Sequence, residues 1–144
     1  PNLLVDGITE ALRASSAYTV YVCNVAMQPG ETDGYTVADH VLAIEAHVGR
    51  NVFDAVLANA HYPSRNAGEN PRYVMHTADV QSIHQRYDMH LVDLTDPNRP
   101  WRHDPSKLAR ALLALHNRAD AGRAFAFRNS GSPQGTTANG PIGG

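Results

Sequence analysis

Two apolar runs separated by polar stretches set the frame of the chain. Tyr18-Thr19-Val20-Tyr21-Val22-Cys23 reads as a buried strand ending at Asn24. Phe53 to Ala58 is nearly all apolar, as a strand covered on both faces should be. Between them, Val37, Val41, Ile44 and Val48 recur at helical spacing and predict a helix over 37–48. Thr36 and Asp39 have capping-box-like spacing at its start, with Asp in place of the usual Glu, and Gly49 is placed to end it. Strand, helix, strand predicts a right-handed parallel unit.

Other elements follow the same logic. Asp6 is placed to cap a first helix running to about Ser15, with Ile8, Ala11 and Leu12 on one face. After Asn59 the pattern weakens: 61–71 reads as a loop, 72–76 as a short strand, 81–87 as a short helix and 89–94 as a strand. Asp104-Pro105 opens a last helix, with Asp as N-cap, Pro at the first helical position, and Leu108, Leu112 and Leu115 inward. Residues 1–118 thus form one α/β unit, and 119–144 read as a flexible Gly/Ser/Pro-rich tail. Three or four parallel strands leave exposed sheet edges. The chain opens at Pro1 rather than Met, so the expectation is the carboxyl-terminal portion of a larger fold. The missing strands would come from an amino-terminal half of the same fold or from a partner, a homo-oligomer among them.

Composition narrows the function classes. The chain has 144 residues and a formal charge of -2, too little positive charge for a broad nucleic-acid surface. Cys23 is the single cysteine, which excludes a disulfide within the chain and fits a reducing cytoplasm; its apolar setting suits a buried, inert thiol. No apolar stretch reaches the length needed to span a bilayer.

Candidate chemistry gathers where strands end. The loop from Asn24 to Thr36 joins the carboxyl end of a strand to the amino end of a helix, the edge at which open α/β sheets bind ligands. Asn24 and Asn59 both end apolar strands, and their amides suit a base or sugar hydroxyls, or else tie down their own loops. Gln28, Gly30 and Thr32 belong to a stretch whose backbone N–H groups could cradle an anion; the alternative is an ordinary long turn with positive φ at Gly30 and Gly34. Arg102-His103 precedes the last helix, where charge, fork geometry and helix dipole favour a phosphate, worth ~1.5–3 kcal/mol. The alternative is a surface Arg paired with Asp104. Tyr62, Tyr73 and Trp101 could stack on a base or cover a core edge. His40 and His47 lie on one helical face without zinc-like spacing, and no metal site is read here.

Val20-Tyr21-Val22-Cys23-Asn24-Val25, Gln28-Pro29-Gly30-Glu31-Thr32-Asp33-Gly34-Tyr35, Ala38-Asp39-His40 and Arg102-His103-Asp104-Pro105 resemble the carboxyl-terminal half of the YvcK/CofD-like family, the YvcK branch (gluconeogenesis factor) more closely. The resemblance covers about 1–118. It implies a Rossmann-like α/β fold, a three-layer parallel sheet. It also implies a regulator that binds UDP-N-acetylglucosamine and acts in gluconeogenic growth, cell shape and wall synthesis. By the resemblance Arg102 stands where that branch has an arginine for the nucleotide sugar, and Tyr62 is the best match for a ligand-binding tyrosine. The family's phosphate-binding glycine loop lies in the amino-terminal half. Two departures stand out: Ala26-Met27 replaces a common Met-Thr, and Pro105 replaces a threonine that some members phosphorylate.

The reading is a cytoplasmic nucleotide-sugar binder rather than an enzyme, contacting its ligand through Asn24, Gln28, Gly30, Thr32, Asn59, Tyr62, Arg102 and His103. It expects no resident cofactor, no membrane and no nucleic acid. The CofD-type alternative is a transferase moving a phospholactyl group from a guanine nucleotide to a deazaflavin. Magnesium would then enter with substrate phosphates, with Asp33 or Asp39 as its acid. A non-catalytic interaction module is the third reading.

Overall fold

A computed structural model describes residues 3, 5–63 and 72–130, without the side chains of 123–130. In chain order it holds α1 (Ile8–Ala14), β1 (Val20–Val22), α2 (Val37–Val48), β2 (Ala55–Asn59), α3 (Gln81–His84), β3 (Asp88–Val92) and α4 (Pro105–Ser130). The strands form one parallel sheet in the order β1-β2-β3, with Val20 opposite Ala55 and Ala55 opposite Asp88. β2 is central and buried along its whole length, as its unbroken apolar run requires.

Alternation along the strands builds two cores. Val56 and Ala58 of β2 join Tyr21 and Cys23 against Val37, Val41 and Ile44 of α2 and Ile83 of α3. Leu57 points the other way and joins Val20, Val22 and Leu94 against Leu108, Leu112 and Leu115 of α4. The result is a three-layer α/β sandwich, with helices on both faces of a parallel sheet. Burial pushes the Cys23 thiol up to about 12 against the opposing hydrogen bonds of Tyr21 and the Asn24 backbone, so it is an inert core group.

α2 forms as its sequence dictates. Thr36 accepts from the Asp39 amide, Asp39 accepts from the Thr36 amide, and Gly49 ends the helix at φ 77°. Asp104 likewise caps α4, accepting from the Ser106 and Lys107 amides at 2.8 and 2.9 Å.

Four local expectations change. The N-cap of α1 is Gly7 at φ 82°, with no side-chain cap, so Asp6 lies one residue too early. Residues 72–76 make no strand of the sheet. They run beside the loop after β1, through a single bridge from Tyr73 to Ala26, and accept the Val37 amide on Met75 O. Their alternation reads as a strand because Tyr73 and Val74 enter opposite cores. The 81–87 helix resolves into a 3-10 turn, Ala78–Val80, followed by the short α3. α4 continues to Ser130, through the first twelve residues of the expected tail, on a run rich in Ala with only Gly122 against it. Residues 131–144 lie outside the described residues.

Candidate functional site

A cleft of about 400 Å³ opens at the carboxyl end of β1. Asn24, Val25, Ala26 and Gln28, from the segment after β1, line it together with Trp101, Arg102 and His103, from the segment before α4. Five residues singled out in the sequence, Asn24, Gln28, Arg102, His103 and the stacking candidate Trp101, thus share one cavity although 78 positions separate Asn24 from Arg102.

The fold presents Arg102 by a chain reversal. Asp96 accepts from the Asn98 and Arg99 amides and starts the turn, Arg102 N donates to Arg99 O at 2.8 Å, and Asp96 N donates to Arg102 O at 3.1 Å. A bridge from Thr95 to His103 closes the reversal, and His103 Nε2 lies 3.1 Å from Cys23 O, pinning it to the end of β1. The backbone of Arg102 is therefore fixed while its guanidinium is exposed and has no hydrogen-bonding or ionic partner among the described residues. Asp104, its expected alternative partner, is engaged at the α4 cap. A fixed backbone carrying an unpaired guanidinium beside a helix amino end is a competent anion contact.

The other expected residues are engaged inside the protein. Asn59 is 1% exposed; its amide oxygen accepts from Leu94 N at 3.0 Å and its nitrogen donates to His61 O at 2.5 Å. It ties the end of β2 to the end of β3, the loop-holding alternative. Tyr62 packs on Tyr73, donates to Asn59 O at 2.9 Å and stands 2.6 Å from His76 Nδ1. Tyr73 donates to Pro63 O at 3.1 Å, so both rings cover the core edge rather than a base.

The expected anion cradle is closed by the loop's own bonding. Gln28 N donates to Thr32 Oγ1, Gly30 N to Asp33 Oδ2, Thr32 N to Gln28 O and Thr36 N to Asp39. Gly30 and Gly34 supply φ near +79° and +78°, which makes this the ordinary long turn. Asp33 pairs with Arg72 at 2.8 Å and Asp39 belongs to the α2 cap, so neither acid fits a metal site.

A three-layer parallel sheet with a cleft at the carboxyl end of a strand defines a Rossmann-like α/β fold. The sequence profile of the family described as 2-phospho-L-lactate transferase CofD matches residues 1–95, and the chain belongs to that family. It is 41% identical over 131 residues to a protein of Nostoc sp. named "Putative gluconeogenesis factor", covering 85% of this chain and 28% of that relative. It is 36% identical over 121 residues to the gluconeogenesis factor of Halalkalibacterium halodurans, covering 78% of this chain and 37% of that relative. A crystal structure of a UPF0052 family member from Bacillus halodurans superposes with a TM-score of 0.67 at 35% identity, over 78% of this chain and 38% of that one. The chain therefore spans roughly a third of the length of the relatives it matches. Among the described residues no helix is long and apolar enough to cross a membrane.

Proposed function

We propose that the cleft binds a nucleotide sugar, UDP-N-acetylglucosamine, and that the protein acts through this binding as a gluconeogenesis factor regulating carbon metabolism, cell shape and wall synthesis. One observation carries the reading: Arg102, whose guanidinium has no partner among the described residues, lines a cleft together with Asn24 and Gln28. Arginine recognises a diphosphate by charge and fork, and neutral amides recognise base or sugar edges by paired donors and acceptors. The names of the relatives support the gluconeogenesis-factor part of this reading.

Calorimetric titration of UDP-N-acetylglucosamine into the full-length protein, with GDP as control, tests it. Saturable binding selective for the uridine sugar, weakened roughly ten- to a hundredfold by Arg102→Ala, is the expected result, at ~1.4 kcal/mol per decade. Unchanged affinity in that variant removes Arg102 from the site. The family profile favours a second reading, a transferase of phosphorus-containing groups. Preference for GDP together with product from a deazaflavin acceptor selects it.

A further inference from the structure

The ends of β2 and β3 carry a polar chain that the cleft residues do not include. The Thr95 hydroxyl donates to Asp93 Oδ1 at 2.8 Å, and His61 Nδ1 lies 3.0 Å from the same hydroxyl. A hydroxyl has one proton to give. Having given it to Asp93, Thr95 accepts from His61, whose Nδ1 also stands 3.5 Å from Asp93 Oδ1; in the neutral imidazole the proton then sits on Nδ1 and Nε2 is an acceptor.

The base of this chain is rigid. Asp93 also accepts from the Thr95 amide at 3.0 Å and from Lys107 Nζ at 2.7 Å, and Lys107 donates a second bond to Thr95 O at 2.8 Å. Partial burial pushes the Asp93 carboxyl up, but the Lys107 and Thr95 hydrogen bonds outweigh it and hold the group at about 2. Thr95 is 2% exposed, whereas the His61 side chain is 55% exposed. A buried hydroxyl and an anchored carboxylate thus orient an imidazole that faces solvent.

Its place matters. Thr95 is bridged to His103, and Asp96 N bonds Arg102 O, so the residue that orients His61 sits one strand-like step from two cleft residues. His61 follows β2, whose neighbour β1 ends at the cleft. Loop closure does not require the imidazole, because Asn59 already joins the two strand ends.

We propose that His61 is a specificity-determining contact of the same site, its Nε2 accepting a hydrogen bond from a hydroxyl of the ligand's sugar, with Thr95 and Asp93 as positioning residues. The inference rests on the nucleotide-sugar reading. It is tested by measuring the affinity of the full-length protein for UDP-N-acetylglucosamine and for UDP. His61→Ala is expected to weaken the sugar nucleotide about tenfold, the size of one lost hydrogen bond, and to leave UDP unchanged. Thr95→Val is expected to weaken the sugar nucleotide in the wild-type background and to add nothing to His61→Ala, while Thr95→Ser, which keeps the hydroxyl, restores wild-type affinity. Equal affinity of wild type and His61→Ala for the sugar nucleotide overturns the proposal, as does an equal loss for both ligands. A wild-type protein that binds neither nucleotide overturns the nucleotide-sugar reading itself.

Discussion

Arg102 and Asn59 show how residues of similar promise in sequence part company in structure. Both are polar groups beside strand or helix ends. Arg102 lines a cleft with no side-chain partner among the described residues, whereas Asn59 is buried with both ends of its amide engaged. Arg102→Ala is therefore expected to leave the urea midpoint unchanged while affinity falls. Asn59→Ala orphans the Leu94 amide and is expected to cost about 1–3 kcal/mol in the same denaturation measurement. Buried His40 adds a pH dependence. Desolvation lowers its pKa against the opposing pull of the Thr36 carbonyl and Asp39, and Nδ1 donates to Thr36 O at 3.1 Å. The unfolded chain then takes up a proton before the folded one does. Stability is full above the ordinary value of 6.5 and is lost as pH falls below it. Urea midpoints between about pH 8 and pH 5 are expected to fall toward acid, with a smaller slope in His40→Gln.

At the scale of elements, what was legible in the sequence is what is locally determined. The α2 helix, its capping box and its terminal glycine all depend on residues within a few positions of one another, and the structure holds each. Thr36→Ala removes one half of that box, together with a bond to Asp79, and is expected to cost about 1 kcal/mol by chemical denaturation. Segment 72–76 was illegible for the opposite reason. Its alternation reports two buried side chains but cannot report that its hydrogen bonds go to the loop after β1. The loop over 28–36 was ambiguous, since glycines and polar residues serve a cradle or a turn equally well. Only the donor-by-donor pairing decides for the turn. The His61–Thr95–Asp93 chain had no sequence signal, because its members lie up to 34 positions apart without periodicity.

For the molecule as a whole, the parallel unit was readable from strand, helix and strand, and the family, with the three-layer fold it implies, from motif blocks distributed along the chain. The cleft was only half readable. Sequence named five of its residues, but the chain reversal that brings Trp101, Arg102 and His103 beside Asn24 is a long-range event. The single tryptophan of the sequence, Trp101, lines that cleft at 43% exposure and reports on its occupancy. Titration of UDP-N-acetylglucosamine against Trp101 emission is therefore the most direct test that this cleft is the ligand site. A saturable change, shifted to roughly ten- to a hundredfold higher ligand concentration in Arg102→Ala, is the expected result. Unchanged emission while calorimetry registers binding would place the ligand elsewhere and contradict the assignment.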